Sequence, residues 1–420
     1  MKRPAFNYDL KTLPRESKRH YISASDSEIK QMLETLGLKE LKDLYQDLDQ
    51  NIKHKEKLNI PTELSYEDLA QHVYELSLKN KLTTSFIGDG LQHYKAEDIV
   101  GDICAIRGLT TAYTPYQPER SQGTLQSLWI YQSLLSSLTG FEAINSSLYD
   151  RATCLFEALN CAVRLQPGNN KVIIASDIYP QDIEVVKTHA AHTKLELLFA
   201  PIDAFTGKID SKELQKLIQN NQGVAAFAFA QVNHFGLLED VDELTDICSA
   251  LKIKSIALFD PYLLANKALK APAQYGSHEQ GCDMIVGEGQ HLALAANYGG
   301  PGLGIFGIRF NDKDRKSIRS TAGRYIGKTK DLSGRDCLSI ILSTREQHIR
   351  REKATSNICS NQAFIASLAG ACLLRKGDAG LSKATTTARE NCLKTLNQLC
   401  QFEGVSLCFE NSAFFNEFIL

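Results

Sequence analysis

No charge of either sign dominates this sequence: 47 lysines and arginines stand against 49 aspartates and glutamates, a formal net charge of -2. A balance this close to neutral supplies no global positive field for a polyanion, which argues against nucleic acid as a partner. Long apolar stretches are missing too. The N-terminus, Met1-Lys-Arg-Pro-Ala-Phe-Asn-Tyr8, lacks the apolar centre of a secretory signal, and no run approaches the ~18 residues that a membrane span needs. The expectation is a cytoplasmic protein with no membrane partner. The 11 cysteines include no CxxC pair, and Cys104, Cys161, Cys248 and Cys372 sit mostly inside apolar stretches. An odd number of cysteines without a secretory signal points to reduced core thiols rather than a disulfide or zinc framework, and no metal site is expected.

At 420 residues, 43% of them hydrophobic and 23% charged, the chain has the make-up of a soluble globular protein and exceeds the ~100–200 residues of one domain. Residues 1–80 are expected to form a helical lead-in that wraps a larger body. There Ile29, Met32, Leu33, Leu36 and Leu38 follow Ser25-Asp26-Ser27, which suit a helix cap, and a second helical stretch, 69–78, follows Pro61. Residues 81–376 are expected to form a large α/β domain, with apolar runs at 171–175, 195–199, 224–229, 256–259 and 284–286. Amphipathic segments of helix length, 182–192, 211–220 and 241–251, lie between several of these runs. Strands every ~25–30 residues with helices between them imply βαβ units and a mostly parallel sheet covered on both faces. The run 304–308 follows 284–286 too closely for a helical crossover and is expected to be an antiparallel neighbour. After Lys376-Gly377-Asp378, a helix over 381–399 and runs at 405–409 and 414–420 suggest a small α/β C-terminal domain, 377–420. It stops inside an apolar run, so a truncated domain or an unusual end is the expectation.

Gly302, Gly304 and Gly307 spell GxGxxG, but a dinucleotide site needs that pattern to open a helix. Here the glycines span an apparent strand, and close backbone packing is the expected role. The stretch 110–123, TTAYTPYQPERSQG, is different in kind. Pro115 and Pro118 remove amide donors and force extended neighbours, so the segment is a rigid loop presenting tyrosines and a carboxylate. Composition alone leaves a binding loop and a structural loop equally open.

Longer blocks resemble one family. The segment Ala112-Tyr-Thr-Pro-Tyr-Gln-Pro-Glu119, followed by Ser121-Gln-Gly-Thr-Leu-Gln126, is similar to a signature of the N-terminal half of the glycine decarboxylase P-protein of the glycine cleavage system. So are Leu138-Thr-Gly140 leading to Asn145-Ser-Ser-Leu-Tyr-Asp150, and Ile285-Val-Gly-Glu-Gly-Gln290 with Tyr298-Gly-Gly-Pro301. The longest block runs from Thr344-Arg-Glu-Gln-His-Ile-Arg-Arg-Glu to Lys353-Ala-Thr-Ser-Asn-Ile-Cys-Ser-Asn-Gln362. The resemblance extends from about Tyr21 to Leu420 and is far more specific than a short pattern. It implies a fold type I pyridoxal-phosphate (PLP)-dependent transferase-like architecture: a mainly parallel seven-stranded sheet covered by helices, with a small α/β C-terminal domain. It also implies decarboxylation of glycine and transfer of the aminomethyl group to the lipoyl-lysine of the H-protein. In the split form of the family, two related subunits pair and pair again into a heterotetramer with two of each kind.

A PLP enzyme needs a lysine amine to hold the cofactor and an acid against the pyridinium nitrogen. By the resemblance, the place of the acid, after Leu258-Phe259 and before Pro261-Tyr262, is taken by Asp260. Where the catalytic half carries a His-Lys pair, this chain has Gly287-Glu-Gly-Gln-His-Leu292, and no lysine lies between Lys270 and Lys313. Lys267 and Lys270 lie too close to Asp260 to substitute. The resemblance therefore implies subunit 1, with PLP bound covalently by the partner, glycine dehydrogenase subunit 2, and with Asp260 a relic. Because fold type I sites lie at subunit interfaces, Tyr113, Tyr116 and Glu119 are expected to complete the partner's site. Thr355, Ser356 and Asn357 are expected to reach toward the partner's PLP. Arg345, Glu346, Arg350 and Arg351 are expected at the interface, the plainer alternative being a surface charge array. Lipoylated H-protein and glycine are the remaining partners.

His234 follows a strand end, where the resemblance places a group on the cofactor ring; with PLP on the partner, a structural or interfacial histidine is at least as well supported, and His291, at the position of the missing lysine, is expected to be a filler. The sequence departs from the family at Arg151, where glycine is usual after the Tyr-Asp pair. It departs again at Leu109 and Thr110, which replace aromatics, and after Tyr94, where a proline is absent. In PLP-bearing relatives the helix start at this place is a phosphate cradle of free amides, and a cation there is unfavourable by ~0.3–1 kcal/mol unless its side chain leaves the axis. Arg151 is therefore expected to turn toward a carboxylate or a bound anion, with this half's own cavity closed or reshaped. Two further readings stay open: a non-catalytic scaffold or regulatory homologue, and a self-sufficient PLP enzyme using another lysine.

Overall fold

The computed structural model describes residues 24–49, 51–53, 56, 58–84, 94–110, 117–310, 315–342, 347–356 and 360–420. The chain divides into two compact units, Met1–Thr84 and Ser85–Leu420. In the first, helix α1 (Asp26–Thr35) starts at Ser25, whose hydroxyl accepts from the Glu28 amide at 3.4 Å while the Glu28 carboxylate accepts from the Ser25 amide at 2.6 Å. This reciprocal cap fixes the helix start. Helix α2 (Tyr66–Ser77) starts at Ser65, whose hydroxyl accepts from the Asp68 amide.

The second unit is built on one sheet. Its strands are β1 (Ala143–Ile144), β2 (Lys171–Ala175), β3 (Glu196–Ala200), β4 (Val224–Ala230), β5 (Lys254–Phe259), β6 (Met284–Glu288) and β7 (Gly304–Ile308), in the order β1-β7-β6-β5-β4-β2-β3. Strands β2 to β6 run parallel, and β7 lies antiparallel between β1 and β6. Every residue of β4, VAAFAFA, is buried, a pattern that requires cover on both faces. The cover includes helices α3 (Gln122–Thr139), α4 (Arg151–Leu165), α5 (Pro180–Ala190), α6 (Ser211–Asn220), α7 (Val241–Ala250) and α8 (Ser360–Leu399). Helix α6 begins where expected because the Asp210 carboxylate accepts from the Lys212 and Glu213 amides, and it buries Leu214 and Ile218. The C-terminal ends of the parallel strands open on one edge, where α4 begins, which is the usual crevice of such sheets.

Some elements differ from expectation. The run 304–308 is antiparallel to β6, as its spacing implied. The hairpin β8 (Tyr325–Lys330) and β9 (Asp336–Ile341), and the short edge strand β1, carry no sign in the apolar pattern. Helix α8 begins well before residue 381 and is broken at Gly377, which takes φ 57°. The runs 405–409 and 414–420 are not strands. Their apolar residues are anchored against the body instead: Phe409 packs on Phe235 with ring centroids 5.4 Å apart, and the Leu238 amide donates to the Ala413 carbonyl. The glycines 304 and 307 do serve close packing. A Cβ on Gly304 would overlap Cys154 Sγ and lie 2.6 Å from the Asp150 carbonyl oxygen, and one on Gly307 would lie 2.6 Å from Ile144 Cδ1. No helix among the described residues is long and apolar enough to cross a membrane.

Candidate active-site cavity

Helix α4 starts at Asp150, whose carboxylate accepts from the Thr153 amide at 2.7 Å. The next residue is Arg151. Its side chain leaves the helix axis, as expected, and its Nε donates to Asp182 Oδ2 at 2.5 Å. The guanidinium lies over the Tyr179 ring, 4.6 Å from the centroid. Asp182 is in the first turn of α5, which the chain reaches directly after β2, so the fold itself sets the two helix starts side by side. The backbone amide of Arg151 goes elsewhere: it donates to Glu288 Oε2 at 3.1 Å. Glu288 is the last residue of β6, and its Oε1 accepts from the amides of Gly289 (3.1 Å), Gln290 (2.9 Å) and Leu303 (2.7 Å).

Asp260 follows β5 at the same edge. Its Oδ1 accepts from the Tyr262 amide at 2.9 Å and pairs with His291 Nε2 at 3.0 Å. His291 is buried between the rings of Tyr94 and Tyr262, with centroids at 4.8 and 5.4 Å. Burial disfavours charge on both members, but each outweighs it for the other. Asp260 raises the imidazole above its usual range, and His291 with the Tyr262 amide holds the carboxyl below its own. Each partner thus favours the charged form of the other. On the far wall the Tyr179 hydroxyl donates to Glu417 Oε2 at 3.4 Å, and burial with the nearby Asp260 charge pushes the Glu417 carboxyl up.

These groups surround a cavity of about 380 Å³ at the ends of β2, β4, β5 and β6. It is not closed. Among the described residues that line it there is no lysine. His234 is on its wall, with its amide donating to the Asp177 carbonyl at 2.7 Å and its ring edge-on to Tyr179. Cys154 lies beneath it, fully buried, and burial pushes its thiol well above the ordinary range. No cluster of metal-ligating side chains occurs among the described residues.

Of the residues singled out in the sequence, Asp260 and His291 are in the cavity together. Tyr113, Tyr116, Arg345, Glu346 and Asn357 lie outside the described residues. Glu119 is exposed, just before α3, and does not line the cavity. Thr355 and Ser356 are half-buried: the Ser356 amide donates to Glu157 Oε1 at 3.0 Å, the Ser356 carbonyl accepts from the Gly323 amide at 2.7 Å, and Thr355 Oγ1 is buried without a hydrogen-bond partner among the described residues. Arg350 and Arg351 are exposed. Glu288, Asp182 and Glu417 were assigned no role from the sequence. A carboxylate closing an otherwise apolar strand was the one signal available for Glu288.

Comparison with known proteins places this geometry in context. Residues 19–420 match the sequence model of the family described as glycine cleavage system P-protein. A probable glycine dehydrogenase (decarboxylating) subunit 1 from Legionella pneumophila (strain Corby) is 36% identical over 402 residues, 95% of this chain and 86% of the relative. One from Moorella thermoacetica is 36% identical over 400 residues, with the same coverage of 95% and 86%. Among solved structures, an inhibitor-bound glycine decarboxylase (P-protein) of the glycine cleavage system superimposes with a TM-score of 0.82 at 29% identity, covering 94% of this chain and 85% of its own. A sphingosine-1-phosphate lyase from Burkholderia pseudomallei shares the fold alone, with a TM-score of 0.58 at 12% identity over 89% of this chain and 81% of its own.

Proposed function

Because the chain belongs to the glycine cleavage system P-protein family and is related throughout to its subunit 1, we propose that it is the half of a cytoplasmic glycine decarboxylase that carries no cofactor. With subunit 2 it releases the carboxylate of glycine as CO2 and passes the aminomethyl group to the lipoyl-lysine of the H-protein. PLP, held by a lysine of the partner, supplies the electron sink for that chemistry. The single observation that carries this division of labour is the cavity at the strand ends. No lysine among its described lining residues is available to hold the cofactor, Glu288 already accepts from the amide at the start of α4, and Asp260 is already paired with His291. These residues do not fit PLP, so no chemical step is assigned to this cavity.

The contribution of this half is to the partner's site. Tyr113, Tyr116 and Glu119, on the proline-locked loop, orient groups beside the cofactor ring, and Thr355, Ser356 and Asn357 donate toward its phosphate. The Thr355 hydroxyl, buried and without a hydrogen-bond partner among the described residues, supports that assignment, since a buried donor left unsatisfied costs free energy. Arg345, Glu346, Arg350 and Arg351 line the contact between subunits, within a heterotetramer of two copies of each kind. Reconstitution tests the proposal: glycine-dependent exchange of labelled bicarbonate is expected from the mixture of this chain with subunit 2 and from neither alone. A stable complex that exchanges no faster than subunit 2 by itself would move the protein to the scaffold class.

A further inference from the structure

The geometry points to Glu288 as a built-in anion that occupies the phosphate cradle of this half and excludes phosphorylated ligands from the cavity. The inference rests on the partner holding the cofactor, and it gives that division a physical cause. Helix α4, of 15 residues, is long enough to carry an anion site at its start. Its first amide, that of Arg151, is bound to Glu288 Oε2 at 3.1 Å, and its third, that of Thr153, to Asp150 at 2.7 Å. The second oxygen of Glu288 gathers the amides of Gly289, Gln290 and Leu303 from the turn after β6 and the approach to β7. One carboxylate thus accepts from four amides arriving from three segments, that of Gly289 being shared with the Leu303 carbonyl at 2.7 Å, and this is the convergence of N–H groups that a phosphate would otherwise use.

A phosphate entering here must displace those bonds or share the site with a fixed negative charge. Like charges in a crevice of low dielectric repel far more than in water. The cation nearest the helix start offers no relief, since the Arg151 guanidinium is spent on Asp182 and on the face of Tyr179. Asp150, which also lines the cavity, adds to the negative field. The space beyond Glu288 is left to ligands without a phosphate.

The test is calorimetric titration of the full chain, wild type and Glu288→Ala, with inorganic phosphate and with pyridoxamine 5′-phosphate, which has no aldehyde to react with surface lysines. Pyridoxamine is the phosphate-free control. The wild type is expected to give no saturable heat with either phosphate ligand, while Glu288→Ala binds both at least about tenfold more tightly and pyridoxamine is unchanged. Glu288→Ser keeps a small acceptor for the Arg151 amide; it is expected to show the same gain and serves if the alanine variant does not fold. Phosphate binding by the wild type as tight as by the variants overturns the proposal, and so does a folded variant that gains nothing. The two ideas fail separately: a covalent PLP adduct on the wild-type chain refutes the cofactor-free half, whereas an empty wild type with variants that stay empty refutes only the role of Glu288.

Discussion

Arg151 stands at the first position of α4, where a cation is normally a liability, and the structure makes a quantitative claim about what offsets it. Its side chain is 27% exposed and that of Asp182 is 12% exposed, with 2.5 Å between Nε and Oδ2. An exposed pair contributes about 0.2–1 kcal/mol, and loss of one member of a fully buried pair costs about 3–5 kcal/mol. This pair lies between those limits. Arg151→Ala also forfeits the contact over Tyr179, about 0.5–1 kcal/mol, and regains about 0.3–1 kcal/mol by removing a cation from the helix start. Asp182, left behind in the first turn of α5, keeps the favourable field of that helix. The net destabilisation expected for Arg151→Ala is about 1–3 kcal/mol, and a double-mutant cycle with Asp182→Asn should yield a coupling of about 1–2 kcal/mol. Urea denaturation of the four proteins at neutral pH, followed by circular dichroism, measures both. A coupling within about 0.3–0.5 kcal/mol of zero, the usual scatter of independent sites, would refute the idea that Asp182 compensates the misplaced charge.

A second expectation concerns a buried carboxyl cluster behind the His234 wall of the cavity, where Asn233 Nδ2 donates to Glu239 Oε1 at 2.8 Å and to Asp177 Oδ2 at 3.1 Å, and the Ile209 amide donates to Glu239 Oε2 at 3.2 Å. Burial and the neighbouring Asp177 push the Glu239 carboxyl up to about 9 from 4.5, so its contribution is complete below the unfolded value and is lost as pH rises through the folded one. Stability should therefore decline from about pH 5 to about pH 9, and Glu239→Gln should flatten that slope in thermal melts; an unchanged slope excludes the raised Glu239 carboxyl as its source. Gly304→Ala should destabilise by about 1–3 kcal/mol through the crowding at Cys154 and Asp150, and a variant melting like the wild type would show that β7 can retreat from α4. Tyr113→Phe and Tyr116→Phe should each lower bicarbonate exchange in the reconstituted complex without weakening subunit association; normal rates in both would return the loop to a structural role.

Much of the sheet was legible because burial on two faces leaves an unbroken apolar run: β4 and β5 stand out as VAAFAFA and KSIALF between amphipathic helices. The hairpin β8–β9 was not, because most of β8, YIGKTK, is half-buried or exposed and its glycine and lysines hide the alternation. The C-terminal runs misled for the opposite reason. Apolar character reports burial, and Phe409 and Phe414 are anchored against the body without joining a ladder beyond the isolated bridge of Phe414 to Leu237. In the cavity, Asp260 was visible as an acid directly after a strand. Glu288 was equally placed, yet its role depends on a helix start 137 residues earlier, which only the fold brings within 3.1 Å.

If the cofactor of the assembled enzyme belongs to the other chain, borohydride reduction of the reconstituted complex will locate it there. Reduction fixes PLP to whichever lysine holds it, and mass spectrometry of the separated chains then reads the label. The pyridoxyl label is expected at one site on subunit 2, with none above background on this chain. A stoichiometric label on any lysine of this chain, retained after dialysis and lost when that lysine is replaced, would contradict it.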